Sequence, residues 1–396
     1  MSENSFTETS TQSWFSRLGG AFKGIIVGII LFVIAFPVLF LNEGRAVRTY
    51  KTLKEGAGQV ISLDSGTVDP AYNGKLVHLT GEAITNDILS DVQFGISVNA
   101  IKLKRNVQMF QWQEKKKSTT KKKVGGGTKK VTRYDYTTIW SGKVIKSSSF
   151  KNVSGHENPQ NMIYSSNVQT AKDVTLGGFD LSKSLVGKIG GHENYALDGS
   201  AEIPEGVSGK VKIHDGGFYV GADPLSPSVG DLKITFQIVT PQGISLISQQ
   251  AGSTFEPFLS KTGKNLELLK VGTFSAASMF AAAKSSNTMI TWLLRVGGFG
   301  LMFLGIVMVL SPLSVLADVL PFLGNLVGAA TALVAFLIAA ILSLLIIAVS
   351  WIVFRPLLGV GLIICSRCIG LPAKGNLETK KTFCIIPINN YNSDVT

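Results

Sequence analysis

Disulfides are excluded from most of this chain. Its 396 residues hold three cysteines, Cys365, Cys368 and Cys384, all near the C-terminal end. Segment 42–288 therefore has none and must stand on its own core, which at about 240 residues it is long enough to build. Signatures of catalysis are also missing. The four histidines, His78, His156, His192 and His214, are widely spaced, and no HExxH, GxSxG, phosphate-loop or dinucleotide-glycine pattern occurs. The chain reads as a non-enzyme without a cofactor. Cys365 and Cys368 have the spacing of a metal-binding pair, but only Cys384 lies near, and a tetrahedral site needs four ligands. Apolar span-end residues or acylation sites fit that pair better, and no metal is expected. Acidic residues are few, 26 against 38 basic ones, giving a net charge of +12. Nine cations in one short stretch supply most of that excess, so the remainder is near neutral and no nucleic-acid partner is expected.

What the chain does have is apolar runs. Residues 24–41 form an uncharged run of 18, reaching ~27 Å as a helix, enough for the hydrocarbon core of a bilayer. No small-residue cleavage site follows it, so it is expected to remain as an anchor after a tail of residues 1–23. A second run, about 289–310, starts close to Arg295, whose long side chain can snorkel to headgroups. Residues 319–354 carry no charge, and a third span is placed at about 326–353. Arg355-Pro356 suits a turn into a short fourth span, 356–371, followed by a tail, 372–396. The expected fold is thus membrane α+β, with four transmembrane helices arranged 1+3 and an extramembrane domain, 42–288, between the first and second. Four spans put both tails on one side and this domain on the other. Basic residues near the two faces balance, so charge does not set the orientation.

Within 42–288, β-branched and aromatic residues alternate in 76–83, 96–112, 134–145 and 231–239, which predicts strands of a mostly antiparallel domain. Gly and Pro between them mark turns. Ser275 is a candidate N-cap for a helix over 276–284 that leads into the second span and either lies in the interface or packs on the strands.

Two constellations are candidate functional residues. Lys115, Lys116, Lys117, Lys121, Lys122, Lys123, Lys129, Lys130 and Arg133, spaced by Ser, Thr and Gly, form a basic loop, 115–133, between two strand patterns, and Gly125-Gly126-Gly127 at its centre fits a floppy hairpin tip. Such a loop can attract anionic headgroups, and it equally fits a solvated, disordered segment. The second is a polar cluster at the domain-side membrane face. The topology brings Glu43 and Arg45, Arg295 and Arg355 to one depth, where Glu43 can pair with Arg295 or Arg355 and hold the first span on the others. Alternatively, each arginine snorkels to phosphates.

Specific words in the chain carry a resemblance. These are Phe36-Pro37 with Asn42-Glu43-Gly44-Arg45-Ala46-Val47, Met109-Phe110-Gln111-Trp112, Arg133-Tyr134-Asp135-Tyr136 leading to Trp140, and Gly155-His156-Glu157-Asn158-Pro159. Further along stand Val229-Gly230-Asp231, Pro257-Phe258 with Lys261-Thr262-Gly263, Phe274-Ser275-Ala276, Ser286-Asn287-Thr288-Met289 with Trp292 and Arg295, and Trp351 with Phe354-Arg355-Pro356. Together they resemble the transmembrane protein 43 (LUMA) family, with this chain read as a bacterial or divergent member. The resemblance implies four spans, tails in the cytosol or nucleoplasm, and a domain facing the lumen of the endoplasmic reticulum and inner nuclear envelope, or the periplasm in a bacterium. It also implies a homo-oligomeric scaffold that organises an envelope by binding other membrane proteins, with membrane lipid as a further partner. The alternative reading is a membrane-associated enzyme or lipid-handling protein with a site where the β domain meets the bilayer.

Overall fold

The structure, a computed structural model, describes residues 4–198, 203 and 209–355. Three long helices dominate its membrane part: α1 (Trp14–Ala57), α3 (Ala276–Ala317) and α4 (Pro321–Phe354), with a short α2 (Lys183–Lys188) in the domain. All three long helices are long and apolar enough to cross a membrane. The fourth span expected at 356–371, the tail 372–396 and all three cysteines lie outside the described residues.

Helix α1 differs from the expected short anchor. It begins ten residues earlier, where the Ser13 hydroxyl accepts from Ser16 N at 3.3 Å, and continues past the span to a Gly58 cap. Its 44 residues reach about 66 Å, more than twice a hydrocarbon core, so its last turns stand inside the domain. Helix α3 starts at the predicted Ser275 cap, whose hydroxyl accepts from Ser278 N, and fuses the helix expected over 276–284 with the span. Good helix formers with no Gly or Pro between 276 and 296 leave nothing to break it. Asp318 ends α3, and Pro321 begins α4 at a position where a missing N–H costs nothing.

α1 and α3 touch backbone to backbone. A Cβ at Gly305 would lie 2.7 Å from the Gly28 carbonyl oxygen and 2.8 Å from Phe32 N, so only glycine permits this approach. Small residues are how helices gain contact where lipid removes the hydrophobic drive.

Among the described residues the domain is antiparallel apart from one short parallel pair, 61–62 with 76–84. The largest sheet runs in the order 5–12, 128–141, 102–122, 232–239, 217–220, 211–214, a second centres on 76–84 and 242–251, and two two-stranded sheets pair 88–91 with 96–99 and 258–259 with 265–266. Alternation does what it predicts in 232–239, where Leu232, Ile234, Phe236 and Ile238 are buried. These residues join Phe94, Phe179, Phe218, Leu79 and Leu246 in one core.

Two expectations need correction. The basic stretch is no loop: Lys115 to Lys122 continue strand 102–122, Thr128 to Arg133 return in strand 128–141, and only 123–127 turn. Residues 1–23 are not simply a tail either. Ser5–Gln12 pairs with 128–135 as the third strand of the same ribbon, and α1 follows at once. Like charges opposite each other, such as Lys121 and Lys129, disfavour a hairpin by themselves. The third strand, rich in Thr and carrying Glu8, supplies backbone partners and a carboxylate for Lys151 at 2.9 Å.

Candidate functional site

The most ordered polar constellation lies where α1 and α3 leave the membrane part and enter the domain. Glu43 on α1 is fully buried. Arg295 on α3 grips it with two bonds, Nε to Oε1 at 2.7 Å and Nη2 to Oε2 at 2.9 Å, and Trp351 Nε1 on α4 donates to Oε2 at 2.9 Å. The guanidinium sits over the rings of Trp292 (4.8 Å) and Trp351 (5.9 Å), so a buried charge is met by a bidentate partner and by two aromatic faces. One carboxylate thereby ties all three long helices.

A ladder of one cation and neutral acceptors continues toward the domain. Arg45 donates to Asn287 Oδ1 (3.0 Å), Asn42 Oδ1 (3.1 Å) and Thr291 Oγ1 (2.9 Å), while Asn42 Nδ2 donates to the Thr291 carbonyl and Asn287 Nδ2 to the Ala46 carbonyl, each at 3.0 Å. Arg355 does not join the pair; its guanidinium lies over the Trp351 ring at 5.7 Å. Of the four residues expected at this face, Glu43 and Arg295 are therefore bonded, Arg45 serves the next turn, and Arg355 braces Trp351. Sequence reasoning missed Asn42, Asn287, Thr291 and Trp351. The helical spacing of Asn287 and Thr291, four apart on one face, was the available signal.

Above the ladder the domain clamps both helices. Leu53 of α1 and Met279 and Phe280 of α3 pack with Leu76, Ile247 and Leu266 of the domain. The loop Lys261-Thr262-Gly263 caps α1: Thr262 Oγ1 lies 2.6 Å from the Thr52 hydroxyl, and Lys261 N donates to the Glu55 carboxylate. Beside this clamp opens a cavity of about 500 Å³, lined in part by Arg45, Lys188, Lys270, Met279, Ser286 and Ile290.

The other words singled out in the sequence also meet. His156 stacks on Tyr136 at 4.1 Å and edge-on to Trp112 at 4.7 Å, and Asn158 exchanges bonds with the Trp112 backbone at 2.7 and 2.9 Å. Tyr136 donates to Glu114 at 2.8 Å, and burial is the main cause that raises its phenol above the usual range. This is a packed aromatic knot, a cross-brace for the ribbon's root.

Of the nine ribbon cations, Lys122 is partly buried and the other eight are exposed. Lys122 Nζ reaches Asp318 Oδ1 at 2.5 Å, Arg17 binds the same carboxylate, Arg17 Nη1 also donates to the Gly126 carbonyl, and Trp14 Nε1 donates to Val315 O at 2.8 Å. The tip is thus pinned to the ends of α1 and α3 that lie away from the domain. Among the described residues no group of three or more His, Cys, Asp or Glu could hold a metal ion.

Comparison with known proteins agrees with this architecture. A family model described as Transmembrane protein 43 matches residues 109–356. The human protein of that name is 36% identical over 364 residues, 88% of this chain and 89% of its own length. The mouse protein is 34% identical over 89% of both chains, and the Drosophila melanogaster homolog is 31% identical over 86% of this chain and 91% of its own. No solved structure matches. The junction is built from the words around Asn42 to Val47, Lys261 to Gly263 and Ser286 to Arg295, and a match over this share of both lengths decides the matter: the chain belongs to the transmembrane protein 43 family.

Proposed function

We propose that this protein is a membrane scaffold that organises an envelope through self-association and partner binding. One observation carries the reading: α1 and α3 run unbroken from the spans into the β domain and are clamped there by the Leu53, Met279 and Phe280 cluster and by the Glu43–Arg295 pair. A linker of Gly and Ser would let the domain swing. Two stiff helices hold it at one height and orientation, which is what a docking platform needs.

In this reading the helix ends that lie away from the domain face the cytosol or nucleoplasm, and the domain faces the lumen of the endoplasmic reticulum and inner nuclear envelope, or the periplasm. The eight exposed cations of the ribbon offer a surface for anionic headgroups. A lipid-handling role is the second reading, favoured by the cavity beside the junction. The scaffold reading is tested by photobleaching-step counting of a fluorescent fusion in native membranes. Two or more steps per spot are expected, and single steps at every expression level would remove self-association.

A further inference from the structure

The cavity beside the junction has a charge pattern that nothing within the fold resolves. Its volume of about 500 Å³ is in the range of ligand sites. Arg45 and Lys188 come from helices, Lys270 from strand 268–271, and Ser286 presents an exposed hydroxyl from α3. Glu267 also lines the cavity, but it is committed to Lys188.

Among the described residues, no carboxylate lies within ion-pair distance of Arg45 or Lys270. Both terminal nitrogens of Arg45 are spent on neutral acceptors, and its Nε is buried without a partner, an arrangement that ordinarily costs stability. Lys270 Nζ rests over the Phe274 ring at 4.9 Å. Close by, Lys264 donates to Thr49 Oγ1 at 2.7 Å, and burial, with Arg45 and Arg48 beside it, holds its ammonium below the usual lysine range. The two carboxylates nearby, Glu43 and Glu267, are each bonded to another cation, so these groups leave the cavity with an excess of positive charge.

The cavity's position beside the span narrows the choice of anion. Its wall runs from these cations across Met279 to Ile290, which is exposed, and the exposed Leu293 and Leu294 follow on the span. An anion seated at the top of such a wall has room for hydrocarbon below it.

We propose that this cavity is a binding site for the headgroup of an anionic glycerophospholipid, its phosphate paired with Lys270 in the field of the Arg45 charge, with Ser286 as a hydroxyl donor and the acyl chains lying along Ile290 and the α3 span. The site is independent of self-association.

The test is native mass spectrometry of the full-length protein released from nanodiscs containing equal dioleoyl phosphatidylglycerol and dioleoyl phosphatidylcholine, with free glycerol phosphate as a soluble competitor. The wild type should retain phosphatidylglycerol at least fivefold over phosphatidylcholine. Lys270→Glu should abolish that preference and Lys270→Gln should weaken it, each with an unchanged melting temperature, while Lys146→Gln leaves it intact. Equal retention of the two lipids, or undiminished preference in both Lys270 variants, overturns the proposal. Displacement of the lipid by glycerol phosphate at equal concentration assigns the site to a soluble anion and overturns the lipid assignment.

Discussion

Glu43 is the residue on which the membrane part turns. Removing its charge leaves Arg295 half-sandwiched between two indoles without a counter-ion, and burial makes a broken pair far worse than an absent one. A double-mutant cycle of Glu43→Gln and Arg295→Gln on thermal or denaturant stability in detergent should show a coupling of about 1–3 kcal/mol. The same cycle with Arg355→Gln should show a clearly smaller coupling, because Arg355 reaches the carboxylate only through Trp351. Additivity in both cycles would remove Glu43 as the tie between helices. Arg295→Lys should fail to rescue: an ammonium cannot form the two-pronged bond or lie flat on both rings.

Among the elements, the α1–α3 crossing sets how the spans pack. Since a Cβ at Gly305 meets the backbone of Gly28 and Phe32 inside 3 Å, Gly305→Ala must push α1 outward and loosen the contacts of Ala35 and Leu39 with Met302 and Ile306. The expected loss is about 1–3 kcal/mol, the usual cost of overpacking. Gly300 has nothing within 4 Å of its added Cβ. Gly300→Ala is therefore the control, expected to be neutral or slightly stabilising through helix propensity. Equal melting temperatures for the two variants would show that the crossing tolerates a methyl group.

For the whole molecule, the ribbon connects the domain to the far ends of the helices. Roughly 39 Å of helix separate Arg17 from Glu43, about a bilayer's thickness with its interfaces. A basic ribbon with open edges does not persist against lipid, because its backbone groups and ammoniums would lose water without gaining partners. Pinning of its tip at Asp318 therefore requires that protein or water screen it. Replacing Asp318 with Asn removes the carboxylate shared by Arg17 and Lys122, so tryptic cleavage at Lys121, Lys123 and Lys129 of the solubilised protein should speed several-fold while the domain's own melting is unchanged. An unaltered digestion pattern would show that the tip is held elsewhere.

What the sequence determines alone is local. Uncharged runs mark the spans, alternation marks the strands at 76–84 and 232–239, Ser275 marks a helix start, and the depth of Glu43 and Arg295 follows from where charges resume beside apolar runs. Each of these is a periodicity or a boundary within some twenty residues, and such signals survive without knowledge of the fold. Only the tertiary structure decided that Arg295 and not Arg355 takes the carboxylate, since that depends on how α3 and α4 are rotated about α1. It likewise decided that the lysine stretch is a strand. Its own partner is the local return strand, Lys115 with Asp135 through Lys122 with Thr128, but the third strand that backs this hairpin, Gln12 with Thr128 and Ser5 with Asp135, joins segments more than a hundred residues apart, and hydrogen-bond partners at that separation leave no mark in the composition of either one.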